Sequence, residues 1–184
     1  VLGAFGLYVG TLDGELFKLD RRTGAITWRV KAPGPIKSAV AIWEKKVIVG
    51  DYAGHVSAYS RQNGVRLWAT TSPGKRFRGP GRFYAGPAVS YGRVYIGNIN
   101  SRVVALQVDT GAIAWVFSAK EFVYSSAAIA NRTVFVGSYD KQLYALDAVE
   151  GDVRWKFNAR ERISGSPTVI GSLVYFSTLA RKGL

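Results

Sequence analysis

Apolar and polar residues alternate in short runs along most of the chain. In one representative stretch the runs are VFVGS at 134–138, LYALD at 143–147 and VRWKF at 153–157, preceded by the small apolar run Ser126–Ala130. Runs of about five residues with a period of two, separated by turn residues, are typical of antiparallel strands. No window shows a convincing period of 3.6 residues, so we predict an all-β chain with almost no helix.

This arrangement of runs occurs four times. A glycine follows the second run of each unit, at Gly10, Gly50, Gly97 and Gly137. A tryptophan lies in the fourth run of each unit, at Trp28, Trp68, Trp115 and Trp155. The turn between the third and fourth runs also holds a glycine, at Gly24, Gly64, Gly111 and Gly151. All three sets are spaced by 40, 47 and 40 residues, which indicates an internal repeat.

Four short strands in a repeat of this length predict the four-stranded antiparallel blade of a β-propeller. A single blade cannot bury both of its faces, so neighbouring blades must cover them. We therefore expect the four tryptophans to lie between adjacent sheets. The glycines after the second strands are expected to allow a close backbone approach or a bulge. The hairpin glycines are expected to supply a positive φ.

The strand count bears on domain organisation. The repeat units span about 1–37, 38–85, 86–125, 126–165 and 166–184, which gives about seventeen strands in three complete and two partial blades. We interpret the chain as a single propeller domain that forms part of a longer ring of six to eight blades. The alternatives are a small ring whose ends overlap and a ring completed by a second copy.

Composition narrows the classes of function. The 184 residues include 25 Lys and Arg against 12 Asp and Glu, a formal charge of +13, and such a surface attracts acidic partners and polyanions. The absence of cysteine excludes disulfides and thiolate metal sites, and a single histidine excludes sites built from two histidines. No apolar run is long enough to predict a membrane span in this segment.

The segment Ser72–Tyr84, SPGKRFRGPGRFY, accounts for the longer 47-residue interval. Its cations are Lys75, Arg76, Arg78 and Arg82, and aromatic residues lie between them. One interpretation is a loop that binds an anionic polymer or an acidic protein partner, since arginine pairs well with phosphate and carboxylate. The other is a solvated insertion whose aromatic side chains pack against the sheet edge. Sequence-specific nucleic acid binding is not expected, because base-readout motifs are absent.

The acidic residues offer little for catalysis. Asp20, Asp109, Asp147 and Glu150 lie at hairpins, where turn chemistry explains them. Asp13 and Asp140 occupy corresponding positions of another turn, where a carboxylate usually accepts hydrogen bonds from local backbone amides. We predict no catalytic residue and no metal-binding residue.

Segments 134–155 and 8–28 resemble the pyrroloquinoline-quinone-type (PQQ-like) β-propeller repeat, Y-V-G-S-x-D-G-x-L-Y-A-L-D-x-x-T-G-x-x-x-W. The other two repeats depart from it, with Ser60 and Gln107 where Asp20 and Asp147 stand. Residues 163–178 resemble the first two strands of the same unit. The resemblance implies either a quinone-dependent dehydrogenase, which binds PQQ with calcium or a lanthanide, or a cofactor-free propeller. Such dehydrogenases commonly carry an adjacent-cysteine disulfide and a Glu/Asn/Asp metal cluster, and neither can be aligned here.

We therefore expect a non-enzymatic, extracytoplasmic propeller that needs no cofactor and acts as a binding or scaffold module for a macromolecular, anionic partner. One alternative is a fragment of a PQQ-dependent alcohol or sugar dehydrogenase. Another is a self-assembly or envelope-assembly domain that associates through its unpaired end blades.

Overall fold

The computed structural model describes residues 2–3, 6–74 and 79–179. Within these ranges the chain forms eighteen strands and no helix. The strands make four four-stranded sheets and a final two-stranded sheet, which we number 1 to 5 in chain order. The predicted all-β class is confirmed, and the strand beyond the predicted seventeen is the two-residue strand that opens sheet 1.

The strands of each sheet follow one another in sequence. Sheet 1 contains β1 Leu2–Gly3, β2 Gly6–Gly10, β3 Glu15–Leu19 and β4 Ile26–Lys31. Sheet 2 contains β5 Ala41–Trp43, β6 Lys46–Gly50, β7 His55–Ser60 and β8 Arg66–Thr71. Sheet 3 contains β9 Ala88–Ser90, β10 Arg93–Gly97, β11 Arg102–Gln107 and β12 Ile113–Ser118. Sheet 4 contains β13 Ala128–Ala130, β14 Thr133–Gly137, β15 Gln142–Asp147 and β16 Val153–Asn158. Sheet 5 contains β17 Thr168–Ile170 and β18 Leu173–Tyr175.

Every sheet is an antiparallel meander with the same register. The pairing of third and fourth strands shifts at one corresponding place in sheets 1 to 4, for example between Ala58 and Tyr59 and between Ala105 and Leu106. A bulge at the same place in each unit shows that the sequence repeat is also a structural repeat. The extra residue of each bulge therefore lies on the fourth strand, for example Leu67 and Ala114, and not at the glycines that end the second strands.

The sheets are arranged radially. The first strands of successive sheets contact one another, β5 with β9, β9 with β13 and β13 with β17, so these strands gather at the centre. Each of three apolar clusters lies between two successive sheets; one joins Leu16 and Trp28 of sheet 1 to Val47 and Tyr59 of sheet 2. Stacked, radially arranged four-stranded sheets are the architecture of a β-propeller, and the predicted fold is confirmed.

The glycines that end the second strands make room for the chain entering the next sheet. A Cβ on Gly10 would lie 2.3 Å from Ile36 Cγ2, and one on Gly137 would lie 2.2 Å from Ile163 Cγ2. Gly50 and Gly97 meet Phe83 and Val123 in the same way. The close approach predicted for these glycines is thus to a side chain of the following connection, which any larger residue would displace.

Tryptophans join three pairs of sheets near the hairpins between third and fourth strands, at the ends of the strands opposite to the glycines just described. The indole Nε1 of Trp28 donates to the Arg61 carbonyl at 3.2 Å, and that of Trp115 donates to the Ala148 carbonyl at 3.2 Å. Trp68 makes the corresponding bond to Val108 at 3.0 Å. Each acceptor lies in a hairpin of the next sheet, beside its glycine. We call this arrangement of indole, carbonyl and glycine the tryptophan joint.

The glycine of each joint lies against the indole ring. Gly64, Gly111 and Gly151 have φ values of 76°, 74° and 82°, a region that favours glycine, and a Cβ on any of them would lie at or below 3.0 Å from the ring. Trp155 has no such hairpin against it in the described residues and is 44% exposed, whereas Trp28 and Trp115 are 9% exposed.

Candidate functional site

One face of the propeller is formed by the turns between second and third strands and by the connections from each fourth strand to the next first strand. Between successive sheets, a backbone amide of the connection donates a hydrogen bond to the turn of the preceding sheet. A backbone carbonyl of the same connection accepts a hydrogen bond from the turn of the following sheet. The pairs are Ile36 N to Thr11 O, Tyr52 N to Pro35 O, Phe83 N to Asp51 O, Ile99 N to Arg82 O, Val123 N to Asn98 O and Tyr139 N to Phe122 O. These bonds fix the connections relative to the turns, so their side chains occupy defined positions.

Four tyrosines from this face form a continuous line, which we call the tyrosine row: Tyr52, Tyr84, Tyr124 and Tyr139. Successive ring centroids are 4.5, 4.9 and 4.7 Å apart. The interplanar angles are 62°, 69° and 44°, so the rings pack edge-on or tilted, as aromatic pairs prefer. The row runs from the turn of sheet 2 across two connections to the turn of sheet 4.

Cations lie at both ends of the tyrosine row. The Lys37 Nζ lies 4.4 Å from the ring centroid of Tyr52 and 5.4 Å from that of Tyr84. The Arg162 guanidinium carbon lies 5.6 Å from the ring centroid of Tyr139. Both side chains are exposed. Cation–π attraction holds each charge near a ring while leaving it accessible to a ligand.

Two phenols of the row, those of Tyr52 and Tyr124, have raised pKa values. Burial raises the pKa of Tyr52, and the neighbouring Tyr84 phenol raises it further. Burial also raises the pKa of Tyr124, with additional contributions from Tyr84 and Tyr139. A phenol hydroxyl can both donate and accept hydrogen bonds, but that of Tyr52 is buried.

An open cleft of about 510 Å³ lies beside the row. Its lining includes Tyr52, Arg82, Ile99, Asn100 and Phe122. The Arg82 side chain is exposed and adds a third cation to this side of the face. The cleft is therefore lined by aromatic, apolar and cationic groups.

The predicted cationic loop lies only partly in the described residues. Lys75, Arg76 and Arg78 fall outside them. The chain on either side is held, because Arg102 Nη1 donates to the Pro73 carbonyl at 3.1 Å and Asn100 Nδ2 donates to the Gly79 carbonyl at 2.9 Å. Pro73 and Gly79 thus lie at the face that carries the tyrosine row.

Each of the two interpretations of that loop, packing against the sheet and binding a partner, fits one of its two aromatic residues that the structure describes. Phe83 is fully buried, packed where Gly50 leaves room, as expected for a side chain tucked against a sheet. Tyr84 is 37% exposed and belongs to the tyrosine row. Phe83 therefore packs in the core, whereas its neighbour Tyr84 lies on the exposed face.

The carboxylates at turns bond to their own turns. Asp20 accepts hydrogen bonds from Arg22 N and Thr23 N, and Asp147 accepts them from Val149 N and Glu150 N. Hydrogen bonds from Arg154 and from these amides hold the pKa of Asp147 far below its usual range. These groups do not converge on a shared site.

Asp140 directly follows Tyr139 of the row, and its oxygens are also engaged. They accept hydrogen bonds from Lys120 N, Gln142 N and the Tyr144 hydroxyl. Within residues 2–3, 6–74 and 79–179, no group of three or more His, Cys, Asp or Glu side chains could hold a metal ion.

Most of the tyrosine row was not predicted from the sequence. Lys37, Tyr84 and Tyr124 occupy one position of the repeat and are spaced by 47 and 40 residues; Tyr52 and Tyr139 share another. The repeat register could have identified these positions as neighbours on one face. The signal was missed because the residue type changes from unit to unit.

Repeated meanders, the tryptophan joints and the hydrogen-bonded connections together define a PQQ-like β-propeller. A family model described as outer membrane protein assembly factor BamB matches residues 6–116 and, in a second overlapping match, residues 75–182. The chain belongs to this family, and the resemblance to the PQQ-like repeat is confirmed.

Individual relatives fall into two groups. The chain is 32% identical over 111 residues to the quinohemoprotein alcohol dehydrogenase ADH IIB of Pseudomonas putida, a match that covers 56% of this chain and 16% of the relative. It is 29% identical over 113 residues to the outer membrane protein assembly factor BamB of Nitrosomonas eutropha, covering 61% of this chain and 26% of the relative. The chain thus matches about a quarter or less of the length of these relatives.

Solved structures support the fold over nearly the whole chain. The crystal structure of BamB from Moraxella catarrhalis superposes with a TM-score of 0.82 at 21% identity, covering 97% of this chain and 53% of that structure. The quinohemoprotein alcohol dehydrogenase ADHIIG of Pseudomonas putida gives a TM-score of 0.75 at 17% identity, covering 96% and 37%. At these identities the likeness shows the fold and not the activity.

Proposed function

We propose that this chain is a non-enzymatic, extracytoplasmic propeller module that binds a protein partner through the face carrying the tyrosine row. The observation that carries the proposal is the row itself: four aromatic side chains in contact, at least partly accessible, with exposed cations at both ends. An ordered aromatic line across three sheets exceeds what packing of the individual sheets requires.

Residue chemistry favours a protein partner. Tyrosine and arginine are enriched at protein interfaces and dominate their energetic hot spots, because they combine a large apolar area with a polar or charged end. The backbone bonds that fix the connections also reduce the ordering cost of binding, since the turns need not rearrange. Relatives named as outer membrane assembly factors support both a protein partner and a location outside the cytoplasm.

The carboxylates and other side chains that could ligate a metal favour a binding role over a dehydrogenase role. The Asp140 carboxylate beside the row accepts local hydrogen bonds, and the described residues supply no group of three or more His, Cys, Asp or Glu side chains that could hold a metal ion. Dye-linked oxidation of alcohols or sugars by this protein after addition of PQQ and Ca²⁺ would contradict the proposal.

Site-specific photo-crosslinking tests the proposal. A benzophenone amino acid is placed at Tyr84 or Tyr124, and at Gln62 on the opposite face as the matched control, and each variant is irradiated in envelope extract of the source organism. We expect one discrete protein adduct from the row positions and not from Gln62. The adduct should be identified, and its purified protein should bind the wild-type chain.

The same adduct should be lost when Lys37 and Arg162 are both replaced by glutamate. Equal adducts from both faces, or none from the row, would contradict the proposal.

Self-association through the end sheets is a second candidate function. Trp155 and Phe157 on sheet 4 and Leu173 and Tyr175 on sheet 5 are large apolar side chains that are exposed in this structure. Exposed apolar patches and unpaired strand edges favour association with a further sheet. Light scattering over a range of concentrations tests this candidate: the mass should rise for the wild-type chain and stay monomeric for Trp155→Glu, and a constant monomer mass for the wild type would contradict it.

A further inference from the structure

We infer that the tyrosine row binds an extended, acidic peptide segment in which two carboxylates lie four positions apart with an apolar residue between them. The inference rests on the proposed function and specifies the chemistry of the partner. It is argued from the length of the row, the tilt of its rings and the charges at its ends.

The length of the row matches a short stretch of extended chain. The three centroid steps are each between 4.5 and 4.9 Å, and cations lie at the first and last rings. An extended strand rises about 3.3 Å per residue, so at most about four residues follow the row from its first ring to its last. Two acidic side chains at positions i and i+4 would therefore reach Lys37 at one end and Arg162 at the other.

The period of a strand adds a second condition. Side chains at i, i+2 and i+4 of an extended peptide point to the same face, whereas those at i and i+3 point to opposite faces. The residue at i+2 would contact the middle of the row, where Tyr84 and Tyr124 lie 4.9 Å apart. An apolar or aromatic side chain at i+2 suits the ring edges presented there.

The tilt of the rings favours a peptide over a glycan or single-stranded nucleic acid. Bases stack on an aromatic face that lies parallel to them and is free of other contacts. In the tyrosine row, neighbouring rings are inclined by 44° to 69°, and Lys37 and Arg162 lie over the terminal rings. The faces of the terminal rings are thus used within the protein, and ring edges remain for the ligand.

Charge favours an acidic segment. Lys37, Arg82 and Arg162 are exposed cations on this face, and the chain has a formal charge of +13. The nearby Asp140 carboxylate is turned to its own hydrogen bonds from Lys120 N, Gln142 N and Tyr144. Carboxylates of a ligand would therefore meet exposed cations on this face.

Fluorescence anisotropy with labelled peptides of about nine residues tests the inference. One peptide carries aspartates at i and i+4 with leucine at i+2; a second has the same composition with the aspartates at i and i+3; a third replaces both aspartates by asparagine. We expect the first to bind the wild-type chain about tenfold more tightly than either of the others, a difference of about 1.4 kcal/mol.

Charge reversal provides the matched variants. Replacing Lys37 and Arg162 by glutamate should weaken the first peptide by at least about tenfold and allow binding of a peptide with lysines at i and i+4. Arg29→Glu, on the outermost strand of sheet 1, changes the charge away from the row and should leave the affinity within about twofold.

Equal binding of the three peptides would overturn the inference, as would unchanged affinity in the charge-reversed variant. Tighter binding of oligothymidylate or heparin than of the first peptide would also overturn it, in favour of a polyanion. If the photo-crosslinked adduct forms but the peptides do not discriminate, the proposed function stands and this inference fails. If no adduct forms from the row, the proposed function fails.

Discussion

Two sets of aromatic residues recur along this chain at repeat positions, and they differ in environment. Trp28 and Trp115 are 9% exposed, each with its indole N–H bonded to a hairpin carbonyl of the next sheet. The tyrosines of the row lie at the other ends of the strands, and Tyr84 is 37% exposed. The tryptophans contact a hairpin of the next sheet, whereas the row has exposed cations at its ends.

The difference separates stability from binding. A buried indole with a satisfied N–H contributes apolar area and a hydrogen bond to the stack of sheets. A half-exposed row on backbone fixed by hydrogen bonds contributes less to stability and leaves surface for a partner. Trp155 provides an internal control, because it holds the same repeat position as the buried tryptophans but has no hairpin against it in the described residues.

The largest loss of stability is expected when the tryptophan of a joint is removed. Trp115→Ala should lower the free energy of unfolding by about 3–5 kcal/mol, because it removes a buried ring and leaves the Ala148 carbonyl without its indole donor. Trp155→Ala should cost less, about 1 kcal/mol, since that residue is already 44% exposed and has no hairpin against it in the described residues. Urea unfolding followed by circular dichroism measures both, and equal losses would contradict the role given to the joints.

The next largest loss of stability is expected at one of two hairpin glycines that have similar backbone conformations. Gly24 and Gly151 have φ values of 74° and 82°, so alanine is strained at both by about 1 kcal/mol. A Cβ at Gly151 would also lie 2.6 Å from the Trp115 ring, whereas a Cβ at Gly24 has nothing within 4 Å. Gly151→Ala should therefore cost about 3 kcal/mol in total. Equal urea midpoints for the two variants would show that the hairpin does not pack against the indole.

Substitutions in the tyrosine row should affect stability less. Tyr84→Ala removes two edge-on ring contacts at a site that is already partly hydrated, which should cost about 1 kcal/mol. Tyr84→Phe keeps both ring contacts and should cost less. A loss as large as that of Trp115→Ala would mean that the row is a structural core and would weaken its assignment as a binding surface.

The smallest effect is an alkaline dependence of stability. Because burial raises the pKa of Tyr52 in the folded chain, the unfolded chain releases this proton first as the pH rises. The corresponding stabilisation is present below about pH 10, the ordinary tyrosine value, and is lost as the pH rises towards the folded-state pKa. Tyr52→Phe should reduce the slope of unfolding free energy against pH above about pH 10. Identical slopes for variant and wild type would contradict the burial of this phenol.

The sequence allowed the scaffold to be predicted because the residues that shape it are invariant across the units. Gly10 and its equivalents, the hairpin glycines and the tryptophans each have one chemical solution, so identical residues recur at fixed intervals. The sheets, their order and the hairpin φ values followed from these positions.

The tyrosine row could not be predicted by the same means. Its position before the first strand holds Lys37, Tyr84 and Tyr124, which differ in type, and a search for identical residues does not connect them. Their proximity depends on the backbone bonds between connections and turns, which sequence spacing alone does not specify. The exposure of Trp155 likewise depends on its neighbours and not on its own repeat position.

The most direct test of the different roles of the two aromatic sets uses the variants Tyr84→Ala and Trp155→Ala. Binding of the peptide with aspartates at i and i+4 is measured for both, and urea unfolding is followed on the same samples. We predict that Tyr84→Ala stays folded and binds about tenfold more weakly, while Trp155→Ala binds within about twofold of the wild type. Undiminished binding by folded Tyr84→Ala, or an equal loss in Trp155→Ala, would contradict the account.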